Sequence, residues 1–384
     1  MRCKLSDIAE VIMGQSPKSQ YYNSVGVGTP FLQGNRTFGF KRPVFDTYTT
    51  VVTKKASAGD VIMSVRAPVG DINITPVDIC LGRGVCSLRM KNGNQEFLYY
   101  LMKYYMPQLI NKESGTVFGS VNRNDIRGLE IDIPESASSQ REIARYMTML
   151  DDKIELNIAI NNNLEQQIEM VLLKTINDTD TQPVKLGDYL YIKGRIGWKG
   201  LKKSEYLPIS NYRIINGESL TLSGIDWNKA GYISAERYEE SPEIMLSIGD
   251  ILLSKDGTIG KIGYVDKLDA PTSVASGIFV IRNTRQSEIS TQFIYYLLKS
   301  KLFKAFIASR TEGSVIPHLY QKDFMEFEFQ LPSPDDMKIF DDTTADMFSL
   351  VFSNLNENER LIHLRDSLLP KLMSGELDVS DTDI

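Results

Sequence analysis

Residues 143–171 read IARYMTMLDDKIELNIAINNNLEQQIEMV, and residues 340–368 read FDDTTADMFSLVFSNLNENERLIHLRDSL. In both stretches the apolar residues recur at alternating steps of three and four, which is the 3.5-residue repeat of a coiled-coil helix. We assign to the two seams the residues Ile143, Met147, Leu150, Ile154, Asn157, Asn161, Leu164, Ile168, Met347, Val351, Asn354, Asn358, Leu361 and Leu368. The chain is therefore predicted to contain two long, matched helices.

An asparagine pair interrupts both seams at the same place: Asn157 and Asn161 in the first, Asn354 and Asn358 in the second. A buried asparagine weakens a seam but fixes its register by finding an asparagine partner. Antiparallel pairing, which we favour, predicts that Asn157 meets Asn358 and that Asn161 meets Asn354. Parallel pairing would also align them, but residues 179–332 would then have to bridge the full helix length. The alternative is that each helix packs on its own domain and its asparagines face water.

The rest of the chain repeats once, with a period near 190 residues. GDVIMSVRAPVGDI (59–72) matches GDILLSKDGTIGKI (249–262), and EFLYYLM (96–102) matches QFIYYLL (292–298). So long a period indicates two copies of one domain rather than a solenoid. Each copy combines a buried strand opened by Gly-Asp, an apolar helix and a strand that stops at proline, which predicts an α+β fold. The apolar residues have helical spacing over 97–110 in the first copy and over 293–307 in the second.

We therefore predict a small β-rich α/β head at 1–135 and a helical region at 136–178, followed by a second head at 179–332 and a second helical region at 333–384. The two similar heads are expected to be separated by the two long helices, paired as an antiparallel coiled coil with an approximate two-fold axis. A helix over 143–175 would be about 50 Å long.

The net charge of −6 is distributed unevenly along the chain. The two helical regions carry −3 and −8, whereas the first head carries +4 and the second +1. A basic balance in the heads and an acidic balance in the helices indicate that heads and helices bind different partners.

The composition argues against several classes of function. Three cysteines (Cys3, Cys80 and Cys86) fit no disulfide framework and indicate a reducing compartment, and two histidines (His318 and His363) make a histidine-built metal site improbable. No phosphate-binding loop or nucleophile–base motif occurs, so binding is favoured over catalysis. The polar N-terminus and the lack of an 18-residue apolar run predict a soluble, cytoplasmic protein.

Three blocks together resemble the specificity subunit of type I restriction–modification enzymes: LGDYLYIKGRIGWKGLKKSEY (186–206), GDILLSKDGTIGKIG (249–263) and LRDSLLPKLMSGELDVSD (364–381). The resemblance covers essentially the whole chain. It implies a non-catalytic DNA-binding subunit for phage defence and DNA methylation, in which each head is a target-recognition domain for one half of a split sequence. One departure is that the first copy has MGQSPKSQYYN (13–23) where the second has KGRIGWKG.

The resemblance also implies partner proteins. The chain would assemble with double-stranded DNA, with two modification (methyltransferase) subunits and with restriction (translocase/nuclease) subunits. S-adenosylmethionine, ATP and Mg are expected on those partner subunits, and no cofactor or metal is expected on this chain. The acidic outer faces of the helices are candidates for binding the methyltransferases; the alternative is a helix face that is only solvated.

Candidate DNA contacts in the first head lie in LQGNRTFGFKRP (32–43) and SVNRND (120–125). Arginine and lysine can pair with guanine edges or phosphates, and asparagine and glutamine suit adenine. The candidates are Gln33, Asn35, Arg36, Lys41, Arg42, Asn122 and Arg123. The interleaved Phe38 and Phe40 are expected to be core residues.

In the second head the main candidate is YIKGRIGWKGLKK (191–203), whose glycines would allow close approach to a duplex. The candidates are Lys193, Arg195, Trp198, Lys199, Lys202, Lys203, Lys255 and Asp256. Trp198 either anchors the loop to the head or contacts DNA. Any one of these side chains taken alone could be a solvated surface group.

The sequence is also compatible with two other functions. The chain could be the recognition half of a fused nuclease–methyltransferase acting alone, or a two-headed coiled-coil scaffold that binds proteins and not DNA. Salt-dependent DNA binding separates the scaffold from the DNA reader.

Overall fold

The computed structural model describes residues 1–110, 119–178, 181–195, 200–311 and 319–377. It divides into two compact units: unit 1 comprises Met1–Ile158 and Glu357–Ile384, and unit 2 comprises Ala159–Asn356. Each unit holds one head together with one part of each long helix.

Within its described residues, 1–110 and 119–135, the first head contains two larger sheets and three helices. Its helices are α1 (Leu5–Ile8), α2 (Gln95–Ile110) and α3 (Arg123–Arg127). Its strands are β1 (Arg2–Lys4), β2 (Ala9–Met13), β3 (Tyr22–Asn23), β4 (Thr29–Leu32), β5 (Tyr48–Thr49), β6 (Lys55–Ala56), β7 (Val61–Ser64), β8 (Ile72–Ile74), β9 (Ile79–Leu81), β10 (Val85–Met90) and β11 (Glu130–Asp132). An antiparallel sheet has the order β2-β10-β7-β8, a mixed sheet has the order β3-β5-β4-β9-β6, and β1 pairs with β11.

The second head repeats this plan. Its helices are α5 (Ala235–Glu239), α6 (Thr291–Lys299), α7 (Lys301–Thr311) and α8 (Gln321–Met325). Its strands are β12 (Pro183–Lys185), β13 (Leu190–Gly194), β14 (Tyr212–Ile215), β15 (Leu220–Thr221), β16 (Gly224–Ile225), β17 (Gly231–Ile233), β18 (Ile251–Ser254), β19 (Ile262–Tyr264), β20 (Thr272–Val274), β21 (Ile278–Asn283) and β22 (Glu328–Gln330). The sheet β13-β21-β18-β19 corresponds to β2-β10-β7-β8, and the pair β12-β22 corresponds to β1-β11. The predicted duplication is confirmed.

A buried carboxylate fixes the same corner of both sheets. Asp60, just before β7, accepts hydrogen bonds from Nε and Nη2 of Arg89 on β10, both at 2.8 Å. Asp250, just before β18, accepts from Nε and Nη2 of Arg282 on β21 at 2.7 and 3.0 Å. Because both aspartates are nearly inaccessible to solvent, each needs this bidentate partner. The Gly-Asp signal read from the sequence thus marks a structural ion pair that ties two strands together.

The segment with helical spacing over 293–307 is helical, but it forms two helices, α6 and α7, with a break at Ser300. Ser300 has an extended backbone (φ −65°, ψ 160°), and its buried Oγ accepts a hydrogen bond from the backbone N–H of Phe303. A serine side chain that caps the next helix competes with continuation of the preceding one.

The two long helices are α4 (Ala137–Asn177) and α9 (Pro334–Ser374), each of 41 residues. In unit 1, Asn157 Nδ2 donates to Asn358 Oδ1 at 2.9 Å. In unit 2, Asn354 Nδ2 donates to Asn161 Oδ1 at 2.8 Å. These are the partners expected of antiparallel helices, and the antiparallel prediction is confirmed.

The seam residues are buried or half-buried against the heads as well as against the opposite helix. The buried ones are Ile143, Met147, Ile154, Asn157, Asn161, Ile168, Val351, Asn354 and Asn358. The half-buried ones are Leu150, Leu164, Met347, Leu361 and Leu368. Ile143 and Met147 belong to the core of the first head and Ile168 to that of the second. Packing on a head and pairing of the helices therefore occur together.

Candidate nucleic-acid interface

The 32–43 loop of the first head follows β4 and is held in shape by Asn73. The side chain of Asn73 accepts from the backbone N–H of Gly39 at 3.1 Å and donates to its carbonyl at 3.0 Å. Gly39 N–H also donates to the carbonyl of Arg42 at 3.1 Å, which closes the turn. A loop fixed in this way presents its outer side chains at defined positions.

Three predicted contacts in the first half of this loop lie within reach of solvent, and each already has a partner. Gln33 is exposed and accepts from Ser16 Oγ at 2.8 Å, and half-buried Asn35 donates to Asp71. Arg36 has 74% of its side chain exposed and lies 2.7 Å from Asp46. Hydrogen bonds from Arg36 and Thr47 lower the pKa of Asp46.

Lys41 must be removed from the predicted DNA contacts, because only 1% of it is exposed. Its Nζ lies 3.0 Å from the Glu96 carboxylate on α2 and 3.7 Å from Asp152 on α4. A buried ammonium is tolerated only beside opposite charge, which these two carboxylates supply. The turn directs Lys41 inwards and its neighbour Arg42 outwards.

Arg42 is about half exposed and lies 2.6 Å from Glu155 on α4. Burial raises the pKa of Glu155, although the positive charges of Arg42 and Lys41 oppose the rise. Phe40 directly precedes Lys41 and is half-buried. The centre of its ring lies 5.6 Å from the ammonium of Lys103 and 5.7 Å from the guanidinium of Arg365. Phe40 thus helps to hold the loop against the rest of unit 1, and Phe38 packs at the edge of a small apolar cluster.

The second predicted segment of the first head, 120–125, contains a helix-capping residue and an exposed arginine. Asn122 Oδ1 accepts from the backbone N–H groups of Asn124 and Asp125 and so caps α3. Arg123 is the first residue of α3 and is exposed. The role of Asn122 in this structure is to begin a helix, and Arg123 is the better-placed candidate for DNA.

In the second head the basic segment divides into inward and outward groups. Lys193, Lys202 and Lys203 are exposed. Arg195 is only 2% exposed; its Nε donates to the carbonyl of Val274 at 3.2 Å and Nη2 to Ser273 Oγ at 3.3 Å. Arg195 is therefore a structural residue and not a surface contact, and burial lowers its pKa.

Two of the predicted contacts, Trp198 and Lys199, lie outside the residues that the structure describes. Lys255 and Asp256 follow β18. The ammonium of half-buried Lys255 lies 5.0 Å from the centre of the Phe279 ring, while Asp256 is exposed.

Each head also has a polar recess that the sequence did not single out. The first, of about 420 Å³, is lined by residues that include Asn35, Asp71 and Lys103. The second, of about 580 Å³, is lined by residues that include Asn211 and Asn228. The lining residues of each recess come from several segments of the chain, so a local motif such as 32–43, which supplies Asn35, identifies only part of a recess.

The described part of the chain contains no group of three or more histidine, cysteine or carboxylate side chains placed to hold a metal ion. None of its helices combines the length and apolar character needed to cross a bilayer.

Comparison with known proteins gives consistent matches over nearly all of the sequence. A family model described as Type I restriction modification DNA specificity domain matches residues 1–166 and again residues 179–362. The putative type I restriction enzyme MjaX specificity subunit of Methanocaldococcus jannaschii is 36% identical over 170 residues, which cover 44% of this chain and 39% of that protein. The MjaIX specificity subunit of the same organism is 23% identical over 409 aligned positions, covering 98% of this chain and 93% of that protein.

A solved structure shares the fold. The crystal structure of the S subunit of a type I restriction-modification system from M. genitalium superposes with a TM-score of 0.57 at 16% identity, covering 97% of this chain and 96% of that one.

Proposed function

Since this chain belongs to the family of type I restriction-modification DNA specificity domains, we propose that each head reads one half of a split, asymmetric DNA sequence. The proposal rests on one observation: the two heads share the same sheets but differ in their loops. The sheets and the buried Asp–Arg corner recur in both heads, whereas the loops that present exposed basic side chains do not match. Equal scaffolds with different loops would give two different half-sites.

The proposed contacts are the exposed basic residues of the predicted sets together with Gln33. They are Gln33, Arg36, Arg42 and Arg123 in the first head and Lys193, Lys202 and Lys203 in the second. The half-buried Asn35 and Lys255, the capping residue Asn122 and the exposed Asp256 stay as secondary candidates, and Trp198 and Lys199 stay as predictions. Arg36 and Arg42 would exchange their carboxylate partners for DNA, which makes their contribution strongly dependent on salt.

The helices would have two roles in this function. We propose that their length sets the number of unread base pairs between the half-sites. One added heptad lengthens a helix by about 10 Å, or roughly three base pairs of about 3.4 Å each. Their acidic outer faces would dock methyltransferase subunits, since the helical regions carry −3 and −8.

The chain itself would be non-catalytic. Methyl transfer to adenine, ATP-driven translocation and cleavage would be performed by partner subunits, which would hold S-adenosylmethionine, ATP and Mg. The assembly would act in the cytoplasm on host and phage DNA.

The test of the whole proposal is mapping of methylated adenines at base resolution in the host genome, with and without this gene. Loss of one bipartite motif on deletion is expected, together with its return when the gene is restored. An unchanged methylation map in a strain whose methyltransferase subunit is expressed and active would contradict the proposal.

A matched pair of variants tests the first head. Arg36 and Arg2 are both exposed arginines, with 74% and 79% of the side chain accessible, and each is paired with one carboxylate. Arg36→Gln should weaken binding of the target by about tenfold or more, whereas Arg2→Gln, away from the 32–43 loop, should leave it unchanged. Equal effects of the two changes would remove the loop from the interface, and a lack of any salt-dependent DNA binding would favour the scaffold function.

A further inference from the structure

One buried ion pair joins the two long helices within unit 1. Asp151 on α4 is fully buried, and only 8% of the Arg365 side chain on α9 is exposed. Arg365 Nη1 donates to Asp151 Oδ1 at 2.8 Å, and the hydroxyl of Tyr100 donates to Asp151 Oδ2 at 2.7 Å. Burial by itself would lower the pKa of Arg365, but the charge and hydrogen bonding of Asp151 outweigh it and raise that pKa.

The matching positions of unit 2 carry no charge. The helix repeat has an offset of 197 residues, so Asp151 corresponds to Phe348 and Arg365 corresponds to Ile168. Ile168 is fully buried in the core of the second head, and Phe348 packs against the same core. At equivalent positions of the paired helices, therefore, unit 1 has an ion pair and unit 2 has two apolar side chains.

The asparagine pairs cannot distinguish α4 from α9. Both helices carry asparagines at equivalent seam positions, and Asn157 meets Asn358 just as Asn354 meets Asn161. An antiparallel pair of two α4 helices from separate copies would place the same amides in contact, as would a pair of two α9 helices. Register is fixed by the asparagines, but the choice of partner is not.

We infer that the Asp151–Arg365 pair selects the pairing of α4 with α9 and rejects pairing of either helix with its counterpart in a second copy of the chain. Between two α4 helices, Asp151 would face Ile168 of the other copy, and between two α9 helices, Arg365 would face Phe348. By symmetry each false pair would bury two such charges. Removing one partner of a buried pair is strongly unfavourable because the remaining charge stays out of water.

The rejection is stronger for α9 than for α4. In a pair of α4 helices, Asp151 would keep the hydroxyl of Tyr100 and the ammonium of Lys103, which lies 3.9 Å away on the same head. In a pair of α9 helices, Arg365 would keep Asp366, whose side chain is 58% exposed. Charged partners at a helix seam are a known means of setting partner choice. This inference concerns the helices alone and holds whether or not the heads bind DNA.

The experiment replaces the ion pair in the full chain by its unit 2 counterpart, Asp151→Phe with Arg365→Ile. Two copies with different tags are co-expressed, and self-association is measured by sedimentation and by co-purification of the tags. Without the charges the variant should remain folded, and its dimer dissociation constant should fall by about a hundredfold or more relative to the parent chain. The control is Glu142→Gln with Arg145→Gln, an exposed ion pair on the same helix, which should change nothing.

A folded variant whose self-association equals that of the parent chain would overturn the inference. If the phenylalanine variant does not fold, Asp151→Leu with Arg365→Met removes both charges with side chains of similar size and is subject to the same criterion. Failure of both variants to fold would also overturn it, since the pair would then be required for folding and not for the choice of partner.

Discussion

Replacing Asn161 by alanine should destabilise unit 2 by about 2–4 kcal/mol. Asn161 is only 7% exposed; its Nδ2 donates to the carbonyl of Val351 at 3.0 Å, and its Oδ1 accepts from Asn354 Nδ2 at 2.8 Å. The substitution removes both hydrogen bonds and leaves the buried amide of Asn354 without this acceptor.

The magnitude follows from which groups lose partners. Each hydrogen bond contributes a net of about 0.5–1.5 kcal/mol, and a buried donor left unsatisfied costs about 1–3 kcal/mol. The carbonyl of Val351 lies inside α9, where the helix supplies another donor, so its loss is minor. Replacing both asparagines, Asn161→Leu with Asn354→Leu, removes the unsatisfied donor as well and should restore stability to that of the parent chain or above it.

The assay is equilibrium unfolding in denaturant followed by tryptophan fluorescence. Both tryptophans, Trp198 and Trp227, fall within the sequence range of unit 2, so the signal reports on that unit. Asn163→Ala, an exposed position on the same helix, is the control and should change stability by less than about 0.5 kcal/mol. An Asn161→Ala variant as stable as this control, or a double leucine variant less stable than the single alanine variant, would contradict the role given to the asparagine pair.

Three other predictions use buried groups of the two heads. Burial lowers the pKa of Lys103 to about 8; between that pH and about 10 the unfolded chain keeps a proton that the folded protein releases, so this group adds stability as the pH rises, and the melting temperature of the parent chain should rise relative to that of Lys103→Met over this range. A difference between the two that does not change with pH would contradict the burial of Lys103. Burial raises the pKa of the Cys86 thiol to about 12, so at pH 8 a thiol reagent should modify Cys86 only after unfolding, whereas the half-buried Cys3 should react in the folded protein; equal rates would contradict the burial. Arg195→Met should lower the free energy of unfolding by about 1–3 kcal/mol, while Lys203→Gln should leave it unchanged and weaken DNA binding; the opposite pattern, seen by denaturation and a binding assay, would reverse the roles assigned to these two side chains.

The large features of the molecule were predictable from periodicity and self-similarity. Two matched seams, one duplicated head and an antiparallel choice of asparagine partners all follow from residue spacing, because helices and strands impose fixed periods on the chain. The Gly-Asp signal before β7 and β18 likewise identified real strand starts. The break at Ser300 did not follow, since the apolar pattern continues across it and only the cap reveals the end of α6.

The candidate site was only partly predictable, because charge and residue type do not say which way a loop side chain points. Lys41 and Arg42 are neighbours of the same charge, yet one is buried between carboxylates of α2 and α4 and the other is half exposed. Arg195 looked like its basic neighbours and is buried against strand β20.

Residue spacing alone predicts two heads, two long helices and one register between those long helices. Which charges are buried, and beside which partner, depends on the folded arrangement, because the stabilising groups come from distant parts of the chain. Asp151 and Arg365 are 214 residues apart, and the local sequence around one does not identify the other as its partner. A charge can enter a low-dielectric core only if folding brings the opposite charge to the same place.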